Sequence, residues 1–343
     1  MVLLVEALDG CAVAVHEAGN DVAVLGILLL MEKDVGAVHD AAVLHAVAAD
    51  LKVEVFLHVV HVGKLATEQG LIGVTPYWHF VDWVPGWHVG VPNGGFDEPI
   101  TVTSFMFAAA CKAAAELCDA LGRPGLASDY RARAAVMIEN VKKTCYDTEV
   151  QLFRNTPNTK EYSQHTTLWA ILSGAVTGEE AGALMDRTFD GHVPVAVCSF
   201  SMNHYMFRAL ELSGRYNEYA PKQLKGWETM LDWHCTTWCE NPDSPRSECH
   251  GWSSAPTYEF SAMVLGVYPT ADGYKSVRIK PNVDCFGLDW ARGTVPTPYG
   301  VITVALVMYE TKKRRAKASM GEQLQAILPL GDADTDHARA SPA

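Results

Sequence analysis

Apolar side chains recur every three or four residues along the middle of the chain, which is the spacing of a buried helical face. Residues 102–121 place Phe107, Cys111, Ala115 and Cys118 on one stripe, and glycine follows at the end of the run. The same spacing predicts further helices near residues 126–145, from 163, from 178, and at 200–213, 218–233 and 255–265. The middle of the chain is therefore expected to be helical.

Loops separate these predicted helices in a steady helix–loop–helix rhythm, and no strand–helix–strand pattern intervenes. Repeated antiparallel helix pairs indicate a mainly α fold, an α-toroid with inner and outer helices and a site at one mouth. From residue 273 the segments YKSVRIKPNV and GVITVALVMYE alternate apolar and polar positions, with GTVPTPYG between them interpreted as turns. This change predicts a small antiparallel β-sandwich after the helices.

Residues 1–65 contain no Arg, Pro, Ser, Thr, Gln, Tyr or Trp, although a folded segment of this length needs turn formers and aromatic anchors. We interpret them as a mis-called or out-of-register N-terminus that is poorly ordered; a divergent genuine segment is the alternative. The predicted divisions are 1–70 for this atypical segment, 71–268 for the helical domain, 269–330 for the sandwich and 331–343 for a disordered tail. The atypical segment also holds five histidines, which we do not interpret as a metal site: His16, His39, His45, His58 and His61.

Charge and cysteine content exclude several classes of protein. The 343 residues carry 27 basic and 40 acidic side chains, a formal charge of −13, and no basic face that would bind nucleic acid or an anionic membrane. Nine cysteines without a regular framework favour reduced thiols and a cytoplasmic setting. The N-terminus lacks the pattern of a secretory signal, and the apolar run at 22–31 is too short to span a bilayer.

One long loop contains the residues that are best suited to catalysis or ligand binding. Between Cys235 and Pro256 the sequence TTWCENPDSPRSECHGWSSAP combines Glu240 with Trp238, His250 and other polar side chains. A loop this long inside a helical array is usually functional. A carboxylate, an indole and an imidazole provide a proton acceptor, a flat apolar face and hydroxyl partners, which together suit a sugar site. A packed surface loop is the alternative.

The same loop crowds cysteine and histidine, so a metal site has to be considered. The spacing C-x3-C-x9-C-H matches no familiar structural zinc site, and an acidic side chain lies among these residues. We therefore predict neither a metal nor a cofactor.

Five motifs taken together resemble the bacterial α-L-rhamnosidases of glycoside hydrolase family 78. They are WHFVDWVPGW, EYSQHTTLWAIL, TTWCENPDSPRSECHGWSSAP, GYKSVRIKP and GTVPTPYG, and they extend from about residue 76 to 304. The resemblance implies an (α/α)6 barrel followed by a C-terminal β-sandwich. It also implies an inverting hydrolase of terminal α-L-rhamnosyl residues. Inversion uses two carboxyl groups about 6.5–9.5 Å apart, one protonating the leaving oxygen and one activating water.

The resemblance assigns Glu240 as the general base of this reaction. It also implies that the following side chains contact or enclose the sugar: Asp82, Trp83, Trp87, His165, His250 and Trp252. Each has a structural alternative, since Glu240 could pair with Arg246 or cap a helix, Asp82 could cap a turn, and the histidines and tryptophans could belong to the core. The implied partner is a rhamnosylated oligosaccharide or glycoside; the oligomeric state is left open.

The general acid that the resemblance implies is not found. The family carries it in a segment of the type D-x-x-x-R-x-E-x-x-x-W-x-x-D, which does not occur in residues 1–75. Without it the leaving oxygen departs unprotonated, and general acid–base assistance is worth about 10²–10⁴-fold in rate. The expectation is the C-terminal part of a rhamnosidase. The alternatives are a non-catalytic carbohydrate-binding remnant and another α-toroid glycosidase acting on glucans or uronates.

Overall fold

The computed structural model describes residues 65–76, 78–241, 243–308, 314–319 and 325–327. The atypical segment up to residue 64, with its five histidines, and the predicted tail at 331–343 lie outside the described residues.

Helices dominate the described chain between residues 101 and 259. Short strand pairs interrupt them at Tyr146–Asp147 (β1) with Leu152–Phe153 (β2), and at Tyr162–Ser163 (β3) with Val195–Ala196 (β4). The helices are α1 (Thr101–Ala120), α2 (Pro124–Cys145), α3 (Gln164–Leu172), α4 (Gly178–Phe189), α5 (Phe200–Leu212), α6 (Tyr216–Leu224), α7 (Glu228–Asp232) and α8 (Ala255–Glu259).

The apolar stripe of α1 is buried as its spacing predicts. Phe107, Cys111 and Ala115 lie in the core, while Cys118 is half-buried near the end of the helix. This helix is long and apolar enough to cross a membrane, but half of its most apolar stretch is buried inside the fold. Its apolar face is therefore accounted for by packing against α2 and α3.

Alternate helices pack on one another and form an inner layer. Helix α3 contacts both α1 and α5, and α5 contacts α8, while α2, α4 and α6 each pack mainly on the helix that precedes them. Eight of the nine residues of α3 are buried, whereas α2 and α6 bury only part of their surface. A helix that is covered on all sides belongs in the interior, so α3 lies at the centre of this layer.

The predicted helix at 218–233 is wrong as a single element. It is broken into α6, a tight turn at Lys225–Trp227, and α7. Pro221 lies inside α6, where it supplies no backbone N–H. Gly226 lies against Phe200, and a Cβ there would come within 3.0 Å of the ring. Close packing of the backbone on Phe200 thus decides the local path.

The last predicted helix, 255–265, is present but changes form. After α8 the backbone widens into a π-helical turn at Phe260–Val264. Glu259, at the junction, is completely buried and accepts hydrogen bonds from Arg208 and from the Tyr216 hydroxyl, the latter at 2.6 Å. These bonds tie α8 to α5 and α6.

The described strands after residue 265 form two three-stranded sheets. One has the order β10–β6–β5 and the other the order β7–β8–β9. Their bounds are β5 (Val267–Pro269), β6 (Ser276–Ile279), β7 (Trp290–Thr297), β8 (Gly300–Met308), β9 (Arg314–Ser319) and β10 (Gln325–Ile327). The predicted antiparallel pairing is confirmed except for β10, which runs parallel to β6.

The interpretation of GTVPTPYG as turns is wrong for all of its residues except Pro298 and Tyr299. Gly293 to Thr297 belong to β7 and pair with β8, so that Pro296 lies opposite Val301. Strand β7 is at the edge of its sheet, which is where a proline is tolerated within a strand. The actual turn is Pro298–Tyr299, closed by a 2.7 Å hydrogen bond from the Thr297 hydroxyl to the Gly300 carbonyl.

The described residues have two hydrophobic cores. The larger extends from Leu71 to Ala255, and the smaller, from Val264 to Leu306, lies among the C-terminal strands. Polar contacts connect the helical and strand regions: Asn282 donates to Asn217 at 2.6 Å, and Arg278 lies 3.8 Å from Glu211. The separation into a helical and a β part follows the predicted change of pattern, with the second core starting slightly before residue 269.

Candidate functional site

Asp82 lies at the centre of a polar cluster in which Asp82 and His165 are completely buried and the two serines are half-buried. Its Oδ2 accepts from His165 Nε2 at 2.7 Å and from the Ser199 backbone at 2.9 Å. Its Oδ1 accepts from the Trp83 backbone at 2.9 Å, from Ser201 Oγ at 3.0 Å and from Ser199 Oγ. We call Asp82, His165, Ser199 and Ser201 the Asp82 cluster. Five donors exceed the four lone-pair sites of a carboxylate, so its accepting capacity is fully used.

The segment before α1 delivers Asp82 to this position. The backbone amides of Val81 and Asp82 both donate to the Gly90 carbonyl, at 2.9 and 3.2 Å, which folds residues 81–90 back on themselves. Gly90 has a φ of +75°, and a Cβ there would meet the Phe80 ring at 2.3 Å. Only glycine allows this close approach.

Asp82 also caps α5. Ser199 precedes the helix, and its hydroxyl accepts from the Ser201 backbone amide at 3.2 Å while Asp82 accepts from the Ser199 amide. A negative charge at a helix N-terminus is favoured by the helix dipole. The Asp82 cluster therefore fixes the first turn of α5 against the start of α3, where His165 is the second residue.

The hydrogen bonds set the charge of Asp82. Burial alone would raise its pKa, but the His165 hydrogen bond and charge, with the two bonds from Ser199, outweigh burial and hold the pKa below its ordinary value. The carboxylate is therefore ionised at neutral pH and can only accept. His165 must donate from Nε2, which leaves its buried Nδ1 without a hydrogen-bond partner within the described residues.

Aromatic rings cover the cluster and extend to the surface. Trp87 is half-buried, with its ring centroid 5.0 Å from that of His165. Trp83 is 48% exposed, and its centroid lies 5.0 Å from Phe80 and 6.0 Å from Trp78, itself 41% exposed. Trp83 thus offers an open indole face beside a carboxylate that is closed to solvent.

The second group of candidate residues lies in the segment 234–254, which we call the Glu240 loop. Its two arms are joined by backbone bonds from His250 to the Trp238 carbonyl at 3.0 Å and from Glu240 to the Arg246 carbonyl at 3.4 Å. The Trp252 indole donates to the Glu240 carbonyl at 3.0 Å. These contacts bring Glu240, His250 and Trp252 together without regular secondary structure around the carboxylate.

The Glu240 side chain keeps access to solvent. Its side chain is 15% exposed, and Oε2 accepts from the Arg246 guanidinium, whose own side chain is 64% exposed. This ion pair is the one that the sequence analysis gave as the alternative to a catalytic role for Glu240. The His250 ring lies 4.7 Å from the Trp252 ring, which is 38% exposed. A small polar ligand would therefore meet one carboxylate, one imidazole and one indole here.

Trp227 connects the two groups. Its ring centroid lies 4.2 Å from that of Phe200, the first residue of α5, and its indole donates to the Ser253 carbonyl at 2.7 Å. The Asp82 cluster holds the residue before Phe200, and Ser253 belongs to the Glu240 loop. Both groups therefore attach to the N-terminal end of α5.

The N-terminal ends of α1 and α3 lie on the same side. The Thr101 amide donates to the Asn155 carbonyl at 2.9 Å, and the Asn155 amide donates to the Glu161 carbonyl just before α3. The Gln164 side chain accepts from the Cys198 amide at 3.0 Å, which joins the start of α3 to the chain before α5. The candidate residues thus gather where three inner helices begin.

Sequence reasoning missed Ser199 and Ser201, which supply three of the donors to Asp82. A signal was available, because a serine directly before an apolar helical run is a typical N-cap. Trp78 and Phe80 were also missed as neighbours of Trp83, although they belong to the same aromatic motif.

Asp82, His165 and Cys198 offer three buried ligand atoms within 4.8 Å of one another. The Asp82 oxygens are already occupied by hydrogen-bond donors. Burial raises the pKa of the Cys198 thiol well above its ordinary value, with the Asp82 charge adding to the effect. Because these hydrogen-bond donors use the accepting capacity of Asp82, the donor set fits a hydrogen-bonded support better than a metal centre.

Comparison with known proteins agrees with the resemblance seen in the motifs. Residues 266–320 match the family model of the bacterial alpha-L-rhamnosidase C-terminal domain. The structure is similar to the GH78 family rhamnosidase of Bacillus sp. GL1, at 25% identity and a TM-score of 0.73, covering 84% of this chain and 31% of that one. The predicted resemblance to family 78 α-L-rhamnosidases, which are glycoside hydrolases, is confirmed.

Two more distant structures share the fold. The Streptomyces avermitilis α-L-rhamnosidase complexed with L-rhamnose matches at 17% identity and a TM-score of 0.62, over 82% of this chain and 27% of that one. The Dictyoglumus thermophilum enzyme matches at 16% identity and 0.63, over 82% and 32%. No curated protein sequence matches the chain. The chain spans less than a third of the length of these enzymes.

Proposed function

We propose that this chain carries the general-base side of an inverting α-L-rhamnosidase site within a partial (α/α)6 toroid. The observation that carries the proposal is that the Asp82 cluster and the Glu240 loop both attach to the N-terminal end of α5, the first through Ser199 and the second through Trp227. A partly exposed carboxylate, an imidazole and an open indole face lie on the Glu240 loop, and a second open indole face, that of Trp83, adjoins Asp82. The alternation of inner and outer helices supports the toroid.

Glu240 is the proposed base. Arg246 binds Oε2 of this carboxylate, so the other oxygen, Oε1, is the atom we assign to the hydrolytic water. In an inverting reaction this oxygen takes a proton as the water attacks the anomeric carbon from the face opposite the leaving group. The backbone contacts of Glu240 with Arg246 and Trp252 fix the chain on both sides of the carboxylate.

The aromatic side chains suit a deoxy sugar. Trp83 and Trp252 present exposed indole faces, and rhamnose carries an apolar methyl group at C5 that packs well on such a face. His250 borders Trp252 and, as an imidazole, can hydrogen-bond a sugar hydroxyl. We assign Trp83, Trp252 and His250 to substrate contact.

Asp82, His165 and Trp87 receive a different role in this proposal. Asp82 and His165 are completely buried, so they hold the site in place from behind and do not touch the sugar. Trp87 lies against His165 and separates it from solvent. The identity of the buried pair therefore affects the geometry of the site and the stability of the fold.

The missing general acid determines which substrates report the reaction. Assistance by an acid matters most when the leaving oxygen is strongly basic, because a weakly basic phenolate departs without a proton. The full chain should therefore be assayed with a series of aryl α-L-rhamnosides of decreasing leaving-group pKa. We expect measurable hydrolysis for a dinitrophenyl rhamnoside and a steep fall towards alkyl rhamnosides.

The stereochemistry of the product tests the proposal independently of rate. Proton NMR during hydrolysis of the activated rhamnoside should show β-L-rhamnose first, because inversion changes the anomeric configuration. Initial release of α-L-rhamnose would contradict an inverting mechanism. Equal activity on aryl glucosides or glucuronides would favour another glycosidase of the same fold.

A second candidate function is carbohydrate binding without turnover. It is favoured by the absence of the acid segment in residues 1–75 and by the occupation of Glu240 Oε2 by Arg246. Saturation-transfer NMR with free L-rhamnose would show binding, and the aryl rhamnoside series would show no hydrolysis above the buffer rate. Glucose is the control sugar for the binding measurement, and the corresponding aryl glucoside is the control for hydrolysis.

A further inference from the structure

Two cysteines of the Glu240 loop lie in direct contact. The Sγ atoms of Cys235 and Cys239 are 3.5 Å apart, and both side chains are free thiols. Cys239 directly precedes Glu240 in the chain. The pair is independent of the Asp82 cluster, and the proposed hydrolysis makes no use of it.

The pair needs little movement to become a disulfide. A disulfide bond is about 2.05 Å long, so the sulfur atoms must approach by about 1.5 Å. The segment that carries them follows the end of α7 at Asp232 and precedes the turn at Gly251–Ser253, and its described residues form no helix or strand that a shift would break. His234, at the start of this segment, has a φ of +56°, which turns the chain out of α7.

The two thiols differ in access. Cys235 is half-buried between exposed residues, His234 and Thr236, whereas Cys239 is completely buried. Burial, reinforced by the contact with Cys235, raises the pKa of the Cys239 thiol to about 11. An oxidant in solution therefore meets Cys235 first, and Cys239 reacts from inside. This order matches an attacking thiol and a resolving thiol.

We propose that Cys235 and Cys239 form a reversible disulfide when the chain meets a low-molecular-weight disulfide such as oxidised glutathione. The Cys235 thiolate attacks one sulfur of the oxidant, which forms a mixed disulfide and releases one glutathione thiolate. The Cys239 thiolate then attacks Cys235 Sγ and releases the second glutathione thiolate. The two thiols lose two protons and two electrons, and the oxidant becomes two glutathione molecules.

The disulfide would close a ring of five residues around Trp238, at the base of the Glu240 loop. The Trp238 carbonyl holds the His250 amide, so the ring also fixes the second arm of the loop. Oxidation is therefore a way to stiffen the backbone that positions Glu240. The thiol chemistry can be measured without substrate, so its outcome is separate from that of the proposed hydrolysis.

Tryptic mapping of the full chain distinguishes the possible products. Cleavage after Lys225 and Arg246 places Cys235 and Cys239 in one peptide, 226–246, and Cys249 in the next, 247–275. After incubation with oxidised glutathione and alkylation of the remaining thiols, we expect peptide 226–246 to lose two hydrogens and to take up no alkylating agent. Dithiothreitol should restore alkylation at both cysteines.

The matched control is Cys249→Ser, which removes the exposed cysteine of the same loop and should leave the disulfide unchanged. Cys239→Ser should stop at a glutathione adduct on Cys235. Full alkylation of peptide 226–246 in the oxidised native chain would overturn the proposal. A main product that joins this peptide to 247–275 would overturn it as well. Both of these results come from the native chain, so they do not depend on the folding of a variant.

Discussion

Asp82 and Glu240 belong to two groups that attach to the start of the same inner helix, and the surroundings of the two carboxylates are opposite. Asp82 is completely buried and accepts five hydrogen bonds. The Glu240 side chain is partly exposed, and its ion-pair partner Arg246 lies mostly in solvent. The environment decides what each carboxylate can do. Asp82 has no free lone pair for a substrate, whereas Glu240 has one oxygen that can meet water.

The comparison separates structural from chemical roles. Loss of a buried, fully bonded carboxylate leaves its donors unsatisfied and weakens the fold. Loss of a partly exposed one whose ion-pair partner lies in solvent changes the chemistry at the surface and costs less stability. Stability should therefore respond strongly to substitutions around the buried carboxylate and weakly to substitution of Glu240.

Asp82→Ala should lower the free energy of unfolding by about 3–5 kcal/mol, because it leaves the protonated nitrogen of His165 and the Ser199 amide unpaired in the interior. Urea unfolding followed by circular dichroism measures the change. Asp243→Ala, at an exposed position of the Glu240 loop, is the matched control and should stay within about 0.5 kcal/mol. A loss below about 1 kcal/mol for Asp82→Ala would contradict a structural role for this carboxylate.

Acid should lower the free energy of unfolding through the protonation of His204. Burial, with a smaller effect of Arg208, lowers the pKa of His204 to about 4 from 6.5. Between these two pH values the unfolded chain binds a proton at this histidine that the folded chain does not bind. The free energy of unfolding is therefore highest above pH 6.5 and falls by up to roughly 3 kcal/mol as the pH drops towards 4. His204→Gln should flatten this slope in urea unfolding measured across the range, and an unchanged slope would contradict the prediction.

Trp227→Phe should cost about 1–2 kcal/mol, because the buried Ser253 carbonyl loses its indole donor. Since Trp227 holds the Glu240 loop to α5, trypsin should also cut faster after Arg246 in the variant. Trp290→Phe, on an exposed side chain of β7, controls for the substitution itself. Unchanged cleavage at Arg246 would show that other contacts hold the loop.

Much of this fold could be predicted from periodicity, but the site only in part. The stripe on α1 and the start of α4 are where the apolar spacing places them, because local spacing determines which face is buried. The break at Lys225–Trp227 depends on how Gly226 packs against Phe200, a contact between distant segments. Such contacts are not encoded in local spacing.

The same limit explains the site. The composition of the Glu240 loop and the aromatic motif around Asp82 identified the candidate residues. The burial of Asp82 could not be predicted, because it depends on hydrogen bonds from Ser199 and Ser201 at the start of α5. An N-cap serine is recognisable in a sequence, but the distant carboxylate to which it also donates is not.

Glu240→Gln tests the central claim most directly, because stability and turnover can be measured on the same protein. We expect unfolding to shift by less than about 1 kcal/mol, since the partner Arg246 is exposed. Hydrolysis of an activated aryl α-L-rhamnoside should fall by about 10²–10⁴-fold, since the base is lost. Turnover equal to that of the native chain, in a variant that folds normally, would contradict the assignment of Glu240 as the base.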